Sequence, residues 1–184
     1  RGRDIGIAMG CFFYRESVDW MSANILPSYN ENGIIMGWHD AENIGVLAGT
    51  RMAMATIASD HCQNYTVYAG LQKSVFQQTP SARYAVDGAN KHYLTMVYTD
   101  GDNIQYIEIG FTQDKKYWAA ENRGTVPMGW SLSPSLVEMS PLFVNYLYNT
   151  ATVNDCFIGS VSGLGYAYMP FYGVDRPDQL ATVA

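Results

Sequence analysis

The feature that most constrains the fold is a recurring pair: a short unbroken apolar run followed at once by acidic or hydroxyl residues. Residues 33–38 (Gly-Ile-Ile-Met-Gly-Trp) run into His39-Asp40-Ala41-Glu42, and residues 52–58 into Ser59-Asp60-His61. Residues 92–99 run into Asp100-Gly101-Asp102-Asn103, 125–132 into Ser133, and Asp155–Gly159 into Ser160-Val161-Ser162. Continuous apolar runs suit strands buried on both faces. Segments of helical spacing lie between them. Val18, Met21, Ile25 and Leu26 share a face in 15–26, which Pro27 stops. Asn103 can cap a helix that turns Ile104, Ile107 and Phe111 inward, and Ser133-Pro134 can start one over 135–148 that buries Leu136, Met139, Phe143 and Leu147. Such alternation predicts an α/β fold with a parallel sheet covered on both faces. Residues 4–14 and Tyr65–Ala69 read as further strands, and 72–90 as a polar surface excursion.

A (β/α) barrel is the expected architecture, partial or irregular, because a complete eight-unit barrel takes about 250 residues and this chain has 184. An open doubly wound parallel sheet is the alternative. One α/β domain over 1–174 is expected, with 175–184 as a tail. The chain starts at Arg1 without a signal-peptide pattern, which reads as a piece of a longer protein whose address lies elsewhere.

With 11 Lys+Arg against 17 Asp+Glu and no basic run, the chain does not suit nucleic acid. Its apolar runs fall well short of the roughly 20 residues of a membrane span. Cys11, Cys62 and Cys156 are an odd number without CxxC spacing and read as buried free thiols. His39, His61 and His92 are too scattered to suggest zinc, so no metal is expected. Gly163-Leu-Gly165 lacks the third glycine of a dinucleotide loop, since Tyr168 stands there. Gly159-Ser-Val-Ser-Gly163 has Val161 where a nucleophile elbow needs serine. The Asp100-Gly-Asp102 segment fails as a calcium loop, with Ile104 at the third ligand position and Phe111 at the twelfth.

In α/β folds the active site lies on the rim where the strands end, and the acidic residues collect there. Asp100 and Asp102 are the sharpest feature. Glycosidic cleavage needs two carboxyl groups, one to protonate the leaving oxygen and one to attack or activate water. Glu42 and Asp60 could supply a partner. The same aspartates also suit a plain turn that caps the next helix. Aromatic residues are 14% of the chain, with 14 Tyr and 4 Trp, a composition that fits a sugar-binding surface or an aromatic core equally. Trp38, Trp118 and Trp130 are the stacking candidates. Arg123 precedes a strand, on the opposite rim, where a structural ion pair is expected.

The segment from Ser162 to Pro170 (SGLGYAYMP) resembles the signature of the GxGYxYP glycoside hydrolase family, whose activity is itself inferred. Thr99-Asp100-Gly101-Asp102-Asn103 resembles that family's Ser-Asp-Gly-Asp-Asn segment. Arg123-Gly124, Met128-Gly129-Trp130-Ser131, Ser133-Pro134-Ser135 and Asn154-Asp155 resemble its next blocks. Gly37-Trp38, Asp40-Ala41-Glu42 and Ser59-Asp60-His61 with Asn64 are similar in order and spacing. Two residues depart from the pattern: Thr99 replaces serine, and Met169 separates Tyr168 from Pro170, so the loop is expected to bend one residue later.

The resemblance implies a carbohydrate-active hydrolase on the barrel-like C-terminal part of a longer bacterial protein, extracellular or periplasmic, needing no organic cofactor. Its catalytic set would come from Asp100, Asp102, Glu42 and Asp60. Its sugar contacts would come from Trp38, Asp40, Asn103, Trp130, Ser162, Gly163, Gly165, Tyr166 and Tyr168. A glycan-binding module whose carboxylates only hydrogen-bond hydroxyls, or a structural fragment, are the competing readings.

Overall fold

A computed structural model describes residues 3–8, 10–15, 17–62, 64–71, 75–78, 88 and 90–176. Among these residues five strands form two parallel sheets. β1 (Ile34–Gly37) pairs β2 (Ala55–Ala58), with Ile34 opposite Ala55. β4 (Met128–Leu132) lies between β3 (Val97–Tyr98) and β5 (Asp155–Gly159), with Trp130 opposite both Tyr98 and Phe157. The fold is therefore mixed α/β and parallel, and among the described residues the sheets remain open, without closing into a barrel. Cover on both faces is uneven: consecutive residues are buried in β2 (56–58) and β4 (130–132), but not in β1. In β1 only Ile35 is buried, against Met21, Leu26 and Met54, while Ile34 and Met36 are exposed.

The helices follow their sequence signals at several ends. Ser17 Oγ accepts from Trp20 N at the start of α2 (Val18–Asn24), and a 3-10 turn at Leu26–Ser28 carries Pro27. α3 (Glu42–Arg51) returns from β1 to β2. Asn103 caps α5 (Ile104–Tyr106) through the Tyr106 N–H, and the chain continues as a π-turn, Ile107–Phe111. The helix expected over 135–148 is broken in two, α6 (Leu136–Met139) and α7 (Pro141–Thr150). Pro141 has no N–H, and it drives Ser140 out of the helical region to φ −149°, ψ 63°.

Other expectations are corrected. Residues 4–14 are not a strand but α1 (Arg3–Ala8) and the coil after it, and Tyr65–Ala69 is the helix α4. In α4 the β-prone residues give way to packing: Tyr65 is buried, and the helix lies on α6 and α7. The run at 92–99 yields only two paired residues, and β3 is an edge strand, not a central one. Residues 91–97 are exposed, so the apolar run is not the buried strand it resembles. Most of 72–90 lies outside the described residues, as does 177–184. The segment read as a tail starts anchored: Arg51 holds Asp175 at 2.5 and 2.6 Å, and Arg176 donates to Tyr29 O.

The main core is aromatic. Tyr98, Phe111, Trp118, Trp130 and Phe157 meet at centroid distances of 5.3–5.8 Å. Beneath it sits a buried polar knot. Asp155, its side chain wholly buried, accepts from Arg123 Nη1, Trp130 Nε1 (2.7 Å), Thr152 N and Thr152 Oγ1 (both 2.8 Å). Arg123 also donates to Trp118 O and Thr150 O, and its guanidinium lies 4.1 Å from the Trp118 ring centroid. This is the structural ion pair expected on the rim where strands begin.

Candidate functional site

The site grows from four strand ends. Trp38, Asp40 and Glu42 follow β1, and Glu42 opens α3. Asp100 and Asp102 follow β3 in a tight turn closed by Gly101 N–H to Thr99 O at 2.5 Å. That turn lies on the end of β4: Ser133 N donates to Gly101 O, and a Cβ at Gly101 would stand 2.0 Å from Ser131 O. Only glycine lets the two backbones come so close.

The signature loop follows β5. Ser160 Oγ donates to Gly163 O and Ser162 Oγ to Ala167 O, while Ser133 Oγ donates to Leu164 O, so hydroxyls outside and inside the loop fix its shape. Gly163 turns the chain at φ +78°. Tyr166 then pairs antiparallel with Thr56, N–H to O at 2.7 and 3.0 Å in the two directions, and Gly165 packs on Thr56 O. Tyr168 N donates to Thr50 Oγ1. The loop thereby stitches β2 and α3 to the three-stranded sheet. Pro170 sits in a 3-10 turn, Met169–Phe171, whose closing bond is Phe171 N–H to Tyr168 O at 2.8 Å; the inserted Met169 opens that turn.

Trp38 stacks on Tyr166, centroids 6.1 Å apart and planes 13° off parallel, and Tyr166 meets Tyr168 edge-on at 5.4 Å. The Asp100 carboxyl is held above its ordinary range by partial burial, and by the charges of Asp102 and Glu42. The Tyr166 hydroxyl is pushed up to about 12 by its hydrogen bond with Tyr168, by burial, and by the charges of Tyr168, Glu42 and Asp102. Ring contacts join Trp38, Tyr166 and Tyr168, and the charges of Glu42 and Asp102 act on both Asp100 and Tyr166.

Other candidates are placed elsewhere. Trp130 is 5% exposed and Trp118 2%, so both belong to the core and neither offers a stacking face. Asn103 spends its side-chain oxygen on the α5 cap. Asp60 lies 3.3 Å from His61, and its charge acts on the Cys62 thiol; Asp102 and Glu42 are the charges that act on Asp100. Asp40 is exposed beside His39, whose pKa burial lowers. Cys62 is buried and Cys156 half-buried, but Cys11 is exposed, and all three are free. Among the described residues no three His, Cys, Asp or Glu side chains are grouped to hold a metal, and no helix is long and apolar enough to cross a membrane.

Sequence reading passed over Thr50 and Thr56 and took Ser133 as a helix start, whereas all three pin the loop, Thr56 through its backbone; contacts this distant carry no spacing signal. It also passed over Glu108. An α-helix through Phe111 leaves that residue unremarked, whereas the π-turn brings it half inside, beside Cys62 and Ser140.

The comparisons bear on the same segments. The chain matches a 1.25 Å crystal structure of a "putative hydrolase" from Bacteroides thetaiotaomicron VPI-5482 with a TM-score of 0.78 and 23% identity, over 97% of this chain. The chain spans 36% of that protein's length, and the likeness shows a shared fold. A comparison with curated proteins gave no match. The family model described as "GxGYxYP third domain" matches residues 3–70, which supply Trp38, Glu42 and the Thr56 pairing strand. Residues 90–181, with the Asp100 turn and the tyrosine loop, match the "GxGYxYP putative glycoside hydrolase C-terminal domain", and the chain belongs to that family.

Proposed function

We propose that the Asp100 neighbourhood cleaves a glycosidic bond by carboxylate acid–base chemistry. The supporting observation is the meeting of three carboxyl groups, Asp100, Asp102 and Glu42, with the stacked Trp38–Tyr166 pair at strand ends. Asp100 retains its proton to higher pH than a free aspartate and is the general acid; Glu42 or Asp102 is its carboxyl partner. Trp38, Tyr166 and Tyr168 offer ring faces and hydroxyls to a sugar. Gly163, Gly165 and Ser162 shape the loop that carries them. We read residues 1–174 as one working unit, since the signature loop bonds to β2.

The test is hydrolysis of a glycan library with binding measured in parallel. Asp100→Asn keeps size and most hydrogen bonding but delivers no proton. Turnover is expected to fall by about 10²–10⁴-fold, with sugar binding retained. Full turnover in the folded variant excludes Asp100 from the chemistry. Binding without turnover in the unmodified protein identifies a glycan-binding module instead.

A further inference from the structure

A second concavity lies outside this site, between α4, the π-turn and the start of α7. It is an open groove of about 550 Å³, within the roughly 300–1,000 Å³ typical of small-ligand sites. Tyr68, Phe143 and Tyr146 give it aromatic walls, and His61, Asn64 and Glu108 give it polar ones. Glu108 is the informative residue. Burial holds its carboxyl above the ordinary range, beside Ser140 and Cys62, and its Oε1 is shielded from water with no hydrogen-bond partner. A shielded carboxyl oxygen without a donor is costly, and it stands on a π-turn, a geometry that recurs at functional sites.

The lining selects the ligand. Among the described residues no Lys or Arg lines the groove, and Glu108 opposes negative charge, so phosphates and carboxylates are disfavoured. A wholly apolar ligand would strand Glu108 and Asn64 without hydrogen bonds. A neutral ring with flat apolar faces and hydroxyl edges suits both kinds of wall. The groove is also tied to the first site: His61 N–H donates to Gln105 Oε1 at 2.9 Å, two residues beyond Asn103.

We propose that this groove binds a sugar ring, with Glu108 accepting its hydroxyls and Tyr146 stacking on it, as a second site apart from the Asp100 turn. The choice of a sugar rests on the carbohydrate reading of the first site; the groove's existence as a polyhydroxyl site does not.

The experiment is an NMR titration of the full chain with glucose, galactose, mannose, N-acetylglucosamine and cellobiose. The methyl signals of Ile109 and Leu142 report the groove, and the Trp38 indole reports the first site. At least one sugar is expected to shift both methyl signals saturably. Glu108→Gln and, at the exposed ring, Tyr146→Ala should each weaken that binding about tenfold, the effect of losing one charge-assisted contact, with thermal melts confirming both folds. The methyl shifts should persist in Asp100→Asn. Sugars that move Trp38 but leave both methyls still, or affinity unchanged from the original protein in both folded groove variants, overturn the proposal. Groove binding in an unmodified protein that turns over no glycan would support the groove while refuting the hydrolase assignment, so the two can fail separately.

Discussion

Asp100 carries its proton further up the pH scale than a free aspartate because it is partly buried and faces two like charges, Asp102 and Glu42. Removing one of those charges moves the equilibrium back. Glu42→Gln should therefore lower the Asp100 pKa toward its ordinary value, and a carbon-detected NMR titration of the carboxyl signals measures it; an unchanged Asp100 titration shows that Glu42 does not act on it. If Asp100 is the acid, the high-pH limb of the rate profile in this variant should shift downward as well, since the acid is lost at lower pH. Two tryptophans separate surface from core. Trp130 is 5% exposed and donates to Asp155 at 2.7 Å. Trp130→Ala should cost about 3–5 kcal/mol in denaturant melts, as deletion of a buried aromatic does. Trp38→Ala should leave the melt within about 1 kcal/mol, in the range of surface changes, and act on sugar affinity instead.

At the scale of elements, the turn after β3 and the loop after β5 are held by backbone contacts that admit little change. A Cβ at Gly101 meets a carbonyl of β4, not the yielding end of a flexible side chain. Gly101→Ala should destabilise by about 1–3 kcal/mol, the usual cost of overpacking, and displace Asp100 and Asp102 together. Turnover should consequently drop more than stability explains, and a variant as active as the original would show that the turn can move without consequence. The signature loop is held differently, by hydroxyls and by two backbone bonds to Thr56. Its tyrosines are aimed by β2, an element from the other half of the chain, so the aromatic platform depends on the two sheets being docked.

For the whole molecule, the Arg123–Asp155 pair is a buried polar tie. It joins the segment before β4 to the start of β5, and it does so in the interior, with the Asp155 carboxylate also serving Trp130 and Thr152. Arg123→Met leaves that carboxylate buried without its cation, at an expected cost of about 3–5 kcal/mol. A smaller loss in Arg123→Met/Asp155→Asn, which removes the charge altogether, would confirm that the stranded carboxylate is the cause; equal losses would refute it. Because the pair lies on the rim opposite Asp100, the residual folded fraction should keep its carboxyl titration unchanged.

What the sequence determined by itself is local. The parallel α/β character, the span of β5, the cap at Asn103, the acids at strand ends and the structural role of Arg123 were legible there, because apolar runs, capping side chains and turn residues act over a few neighbours. The tertiary structure decided what depends on partners distant in sequence. Tyr65–Ala69 is helical because burial of Tyr65 outweighs its β-propensity. The apolar run at 92–99 becomes a two-residue edge strand because only β4 pairs with it among the described residues. Trp38 and Trp130 look alike in sequence, each at the end of an apolar run; one stacks on Tyr166 and the other is drawn into the core by Asp155. The charge of Glu42 acts on Asp100 while Asp60 lies beside His61, since carboxylate proximity is set by how two sheets dock and leaves no mark in either local pattern.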